Sequence, residues 1–544
     1  MIRFVGNQSD TDSTQVRPMH IEHPAAHAVA TSGPLGAAEP HAITSHRRAG
    51  TCMHLTSLPG PHGIGEIGRD AHAFIDAMAE AGLSVWQFLP TGPTAYGDSP
   101  YQPLSAYAGN PMLIELRALV ELGLLAEDDL KPMEGLPADS VDYGAAIGPK
   151  TALLNLAAKH FFGGAAPELR PEYEAFVGEY DAEWLHDYAL FRTLKSLHDQ
   201  RPWPEWDAPY RRREPAAMAS VVQEHCEAIR AIKFAQFMFY RQWRALRAHA
   251  AKRGVLLFGD MPIYIALDCA DAWAYKAMLR IDTDGVPTHV AGVPPDYFSE
   301  DGQLWGNPLY DWEHHAQQGY AWWIARLRHT MRMVDIVRID HFRGFEAYWA
   351  VPFGADTARD GAWEPGPNDA VFDAMRDALG DIPIVAEDLG AITDAVDQLR
   401  LRQRMPGMSV LQFLVGEPGF DPSRIEVDSV CYTGTHDNDT TLGWFHGEGE
   451  DVRSREQVEH MQRATLNLAG GDAGSVHWSL ADMAFESRAC MAIVPMQDFL
   501  GLGSDARLNT PGKPGGNWRW RLQPGQFDAA MRDRIASLSQ RTGR

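Results

Sequence analysis

The chain has 544 residues, 45% of them hydrophobic, and 48 Lys plus Arg stand against 72 Asp plus Glu for a net charge of −24. That length holds one large barrel domain with insertions or three ordinary domains. The acidity excludes a nucleic-acid partner, because phosphate binding requires a positive surface.

Residues 1–48 are rich in Ser, Thr, His, Pro, Ala and Gly and show no periodic apolar face. They are predicted to be a disordered leader. The run MHLTSL (53–58) is the first strand candidate. In DAHAFIDAMAEAG (70–82), Phe74, Ile75 and Met78 share one helical face. VWQFLP (85–90) is the second strand candidate. A mainly helical insertion follows over about residues 113–250, with stretches such as TALLNLAAKHFF (151–162). LLFGDMPI (256–263) is the third strand. A loop-rich insertion covers about 264–330 and includes AGVPPDYFSEDGQLWGNPLYDW (291–312), the kind of long loop that usually serves function. The remaining strand candidates are DIVRIDHF (335–342), IPIVAEDL (382–389), SVLQFLV (409–415), VCYTGTHD (430–437) and CMAIVPMQD (490–498).

Most of these runs are near-continuously apolar, as in parallel strands covered on both faces. Eight of them predict an α/β fold, a (β/α)8 barrel over residues 49–544 with large insertions after strands 2 and 3. Barrel enzymes carry their active site at the C-terminal strand ends. Asp260, Asp340, Glu387 and Asp437 all fall at or near such ends.

In VRIDHFRGFEAYW (337–349), strand alternation turns Arg338 and Asp340 to the same side. An Arg beside a carboxylate favours the ionised form, as a nucleophile requires. A structural ion pair explains the same spacing. In IVAEDLGAIT (384–393) only one of Glu387 and Asp388 can face the barrel mouth, leaving the other free to cap a helix. YTGTHDNDTTLGW (432–444) is either a polar turn or a dense set of hydrogen-bonding groups around Asp437. Three carboxylates after three strands suit glycosidic bond cleavage, which needs a nucleophile and a proton donor. Trp305, in the long loop, is a candidate to stack on a sugar face.

Other chemistries fit less well. Gly63, Gly65 and Gly68 form a GxGxxG, but LPGPHG separates it from the strand and no acidic residue follows the second strand for a ribose. The histidines show no HExxH-like spacing, so neither metal nor cofactor is expected. The cysteines, Cys52, Cys226, Cys269, Cys431 and Cys490, are odd in number and widely spaced, which predicts free thiols in a reducing cytoplasm. No apolar run reaches the ~18 residues of a membrane span. The N-terminus lacks a signal-peptide core.

The motifs HLTSLPGPHGIG, GPTAYGDSPYQ, GDMPIYIA, AGVPPDYFSE, GQLWGNPLYDW, VRIDHFRGFEAYW, VAEDLG, YTGTHDNDTTLGW and GNWRWRL occur in this order from about Thr51 to about Leu522. In this the chain resembles glycoside hydrolase family 77, the 4-α-glucanotransferases or amylomaltases. The resemblance implies transfer of α-1,4-glucan segments between maltodextrins or amylose by a retaining double displacement. It implies Asp340 as nucleophile, Glu387 as general acid and base, and Asp437 as transition-state stabiliser. It also implies that Arg338 keeps Asp340 charged and that His436 bonds the same sugar. Tyr101 and Asp260 match further active-site positions, Asp296 and Phe298 a loop over the acceptor side, and Tyr96 and Ser99 a glucan-binding edge. Tyr264 and Cys269 stand where the family often has Phe and Ser. The alternatives are an α-glucan hydrolase or debranching enzyme with the same carboxylates, and a non-catalytic glucan-binding barrel.

Overall fold

The computed structural model describes residues 43–95, 98–295, 300–449, 453–513 and 515–544. Eight parallel strands form the central sheet: β1 (Arg48–Cys52), β2 (Val85–Gln87), β3 (Leu256–Pro262), β4 (Ile336–Asp340), β5 (Ile384–Ala386), β6 (Gly407–Val410), β7 (Ser429–Tyr432) and β8 (Met491–Pro495). Their spatial order runs β6-β7-β8-β1-β2-β3-β4-β5. The two ends meet where Ala386 N donates to Pro406 O at 2.9 Å. The sheet thus closes into a (β/α)8 barrel.

Alternation along the strands decides what lies inside. Ile43, Cys52, Val85, Phe258, Ile336, Val385, Val430, Tyr432 and Ile493 form one interior cluster. Leu257, Val337, Ile339, Ile384 and Ala386 point outward and join the core beneath the helices. Two residues above the apolar floor, the same inward faces carry Asp260, Arg338 and Glu387. The barrel is therefore greasy below and charged at its C-terminal mouth, by period-two alternation alone.

The helix Arg69–Glu80 buries Ala71, Phe74, Ile75 and Met78 on one face. Phe74 meets Trp86 of β2 edge-on at 5.0 Å. Between β2 and β3 the chain forms several helices, including Tyr143–Phe162, Arg170–Tyr180 and His186–Leu197. The 28-residue helix Cys226–Arg253 ends this stretch. Its first half packs on the other helices through Phe234 against Phe161 at 5.0 Å. Its second half reaches the barrel through Trp243 against Phe88 at 5.6 Å.

Four sequence expectations need correction. The first strand is Arg48–Cys52, not 53–58, and Leu55–Ser57 is a short 3-10 turn. Small residues hide it: a Cβ on Gly50 would lie 2.3 Å from Val85 O and 2.6 Å from Ile493 Cδ1. The leader does not extend to residue 48, because Ile43 is 4% exposed and sits in the barrel's interior cluster; residues 1–42 lie outside the described set. The loop-rich insertion contains strands. Gln303–Pro308 and His289–Val293 pair with Ala347–Pro352 and Ala362–Pro365 in an antiparallel sheet, ordered as Gln303–Pro308, His289–Val293, Ala347–Pro352, Ala362–Pro365. The exposed Leu304 and the glycines of this segment mask its alternation. The later strands are also shorter than expected, since Leu411–Leu414 and Met496–Phe499 are helical.

Gly50 gives a direct stability test. Gly50→Ala forces a methyl into Val85 backbone, and overpacking of this kind costs about 1–3 kcal/mol. The denaturant midpoint is expected to fall accordingly, with an unchanged slope.

Candidate active site

Arg338 is the centre of the mouth. It is 4% exposed. Its Nη1 donates to Asp260 Oδ2 at 2.6 Å, and its Nη2 pairs with Asp340 Oδ1 at 2.7 Å. Asp260 and Arg338 are register partners on β3 and β4, whereas Asp340 follows two residues later on the same face. Asp340 keeps 29% of its side chain exposed, and Asp260 none. One guanidinium therefore serves two carboxylates, and only Asp340 opens to the mouth.

Glu387 is held differently. Its Oε2 accepts His341 N at 2.7 Å and its Oε1 accepts Leu389 N at 2.8 Å. Among the described residues it has no ion pair. Burial pushes its carboxyl up to about 7, Asp340 adds to the rise, and Arg338 opposes it. Burial likewise pushes Asp260 up to about 6 against the pull of Arg338. Ile339 pairs with Ala386 across β4 and β5, so Asp340 and Glu387 are the next facing positions. Neighbouring strands lie roughly 4.8 Å apart, which brings the two carboxyl groups within range of one glycosidic bond.

The other walls come from loops. Tyr101 Oη donates to Asp260 Oδ2 at 2.7 Å and lies 2.9 Å from His436 Nε2. A phenol has one proton, so His436 must donate its Nε2–H to Tyr101. Burial keeps that phenol protonated, well above its usual range. The two rings stack at 5.3 Å. Asp437 keeps 46% of its side chain exposed. Its Oδ1 accepts Asn509 Nδ2 at 2.6 Å, and its carbonyl accepts Arg507 Nη2 at 2.7 Å. Buried Asp498 steadies the same loop, accepting Thr433 Oγ1 at 2.6 Å and Thr441 N at 2.6 Å.

Trp305 stands at the rim with its ring 4.7 Å from that of His341. Ser99 turns the chain into Tyr101, its Oγ accepting Tyr101 N at 3.3 Å. Tyr96, Asp296 and Phe298 lie outside the described residues. Asp388 caps no helix: its Oδ1 accepts Met408 N at 2.7 Å, and Thr393 is the N-cap of the next helix. The structure thus brings Tyr101, Asp260, Arg338, Asp340, Glu387, His436 and Asp437 to one mouth.

Four neighbours were not singled out from sequence. His341 has φ 54°, a left-handed backbone that ends β4 and aims its N–H at Glu387. Burial lowers its imidazole to about 4, so the ring is neutral. His54 is buried, and burial followed by the nearby His436 lowers it to about 3. Asn509 and Asp498 come from beyond β8. Only His341 had a local signal, its place directly after Asp340.

Among the described residues no three His, Cys, Asp or Glu converge as metal ligands. A cavity of about 430 Å3 between Arg69, Glu115, Glu172 and Arg241 contains none of the mouth residues.

A family model described as 4-alpha-glucanotransferase matches residues 53–527. The chain belongs to glycoside hydrolase family 77. It is an enzyme of the 4-alpha-glucanotransferase class. The 4-alpha-glucanotransferase of Thermus thermophilus is 44% identical over 92% of this chain and 99% of its own length. The chloroplastic/amyloplastic enzyme of Arabidopsis thaliana is 43% identical over 92% and 86%. The amylomaltase of Streptococcus agalactiae, solved in complex with acarbose, superposes with a TM-score of 0.86 at 34% identity, covering 92% of this chain and 99% of that one. No helix among the described residues is long and apolar enough to cross a membrane.

Proposed function

We propose that this family 77 enzyme transfers α-1,4-glucan segments between maltodextrins by a retaining double displacement at Asp340. The observation that carries the mechanism is the split between two facing carboxyls. Asp340 is paired with a guanidinium at 2.7 Å. Glu387 is raised to about 7 by burial. A carboxyl ion-paired at the mouth suits the nucleophile, and a buried one raised towards neutrality suits the proton donor.

In this reading Asp340 attacks C1 of the donor while Glu387 gives its proton to the departing 4-oxygen. Glu387 then takes a proton from the acceptor 4-hydroxyl, which displaces Asp340 with net retention. Asp437 accepts hydrogen bonds from the hydroxyls of the reacting sugar, held in place by Asn509. His436 and Tyr101 bound the same sugar. Arg338 pairs with Asp340 and holds it in position, with Asp260 as its second anchor. Asp296, Phe298, Tyr96 and Ser99 keep the glucan-contacting roles that the family motifs imply. The acarbose complex of the Streptococcus amylomaltase supports an α-glucan-like occupant of this mouth.

The test is incubation with maltotriose alone. Transfer yields glucose and longer maltodextrins with a constant number of reducing ends. A steady rise in reducing ends would instead mean hydrolysis with the same carboxylates. Trp305 meets the His341 ring edge-on at 4.7 Å at the rim, and water exclusion separates transfer from hydrolysis. Trp305→Ala is therefore expected to raise the hydrolytic share of turnover several-fold, measured as reducing ends formed per glucose released.

A further inference from the structure

The seam where the barrel closes sits beside the proton donor. Seven of the strand junctions carry continuous register pairing. The junction of β5 with β6 has one backbone bond, Ala386 N to Pro406 O. The next donor on β6, Met408 N, finds a side chain: Asp388 Oδ1 at 2.7 Å. The other oxygen of Asp388 pairs with Arg400 Nε at 3.1 Å. Arg400 is 4% exposed and also holds Glu426 Oε2 at 3.1 Å. Gly407 leaves room for this arrangement, since a Cβ there would lie 2.3 Å from Asp388 Oδ2.

Asp388 follows Glu387 directly, and the next N–H, that of Leu389, donates to Glu387 Oε1. The peptide that aims this N–H is therefore anchored by the Asp388 side chain. We propose that Asp388 is a positioning residue for Glu387: its carboxylate substitutes for a missing ladder bond at the barrel seam and thereby fixes the orientation of the proton donor. The inference rests on the reading of Glu387 as general acid and base. A displacement of about 1 Å at such a group costs roughly 100-fold in rate.

The test compares two donors. Maltotriose needs Glu387 in both steps. With α-maltosyl fluoride, Asp340 attacks C1 and the C1–F bond breaks, so fluoride departs without a proton. Added azide then attacks C1, the bond to Asp340 breaks, and maltosyl azide leaves with no base required. The reference variant Glu387→Gln is expected to lose about 100-fold or more on maltotriose and to stay near wild type on fluoride plus azide. Asp388→Ala is expected to follow it, losing roughly 10–100-fold on maltotriose while fluoride plus azide turnover is preserved. Asp388→Asn, which keeps an acceptor for Met408 N but loses the Arg400 ion pair, should show the same donor dependence with a smaller loss. It carries the test if Asp388→Ala does not fold. Equal losses on both donors, or no loss, in the Asp388 variants would overturn the positioning role. Equal losses in Glu387→Gln would instead overturn the acid assignment beneath it.

Discussion

Asp340→Asn is expected to lower maltotriose turnover by about 10^4-fold or more, the scale seen when a covalent nucleophile is removed. The protein should remain folded. Asn is nearly isosteric, and Arg338 keeps its buried partner Asp260 at 2.6 Å. Asp340 contributes a partly exposed carboxylate, so the stability change should be small beside the loss of rate. The pairing of large kinetic loss with near-wild-type unfolding distinguishes a nucleophile from a structural ion-pair member. Breaking a merely structural pair would move the unfolding midpoint and leave activity within about tenfold.

Glu387→Gln carries the second large effect, and its sign follows from the local electrostatics. The wild-type carboxyl is pushed up to about 7 by burial. A general acid works only while protonated. Activity that depends on the first displacement is therefore retained below that value and lost as pH rises through it. The wild-type kcat/KM profile for maltotriose should show a falling basic limb near neutrality. In Glu387→Gln the maltotriose rate should drop by about 100- to 10,000-fold, and the residual activity should lose that limb. A variant that kept the same limb would place the titrating group elsewhere, with Asp260, raised to about 6, the next residue to examine.

The chemistry of the mouth was legible in the sequence wherever it depended on strand period. Arg338 and Asp340 share a face because residues two apart on a strand must do so, and an ion pair at 2.7 Å is the result. Asp260 is also placed at a strand end by the sequence, and the structure adds its register and ion pair with Arg338. What depended on loop geometry was not legible. Asn509 meets Asp437 across 72 positions of chain, and nothing near either residue announces it. His341 reaches Glu387 because its backbone turns left-handed, a state no spacing rule assigns to a histidine. Asp388 was read as a possible helix cap, but the closing seam claims its side chain. The first strand was missed for a packing reason, since the wall at Gly50 has no room for the apolar side chains that mark a strand.

The same contrast separates the strands' existence, which apolar runs mark, from their ends, which they do not. The apolar runs at 256–263 and 335–342 are the strands Leu256–Pro262 and Ile336–Asp340. The runs at 409–415 and 490–498 extend past their strands because Leu411–Leu414 and Met496–Phe499 are short helices, the second fully buried and the first burying Leu411 while Phe413 stays 48% exposed. Hydrophobicity alone does not separate those two outcomes.

The most direct test of the account is to trap the covalent intermediate. Glu387→Gln enzyme incubated with α-maltosyl fluoride, without acceptor, should accumulate a glycosyl-enzyme, because the second displacement lacks its base. Peptide mass spectrometry should then find one maltosyl unit on the peptide containing Asp340, removable by added azide. An adduct on another residue, or fluoride release with no adduct and a product of inverted configuration, would contradict attack by Asp340.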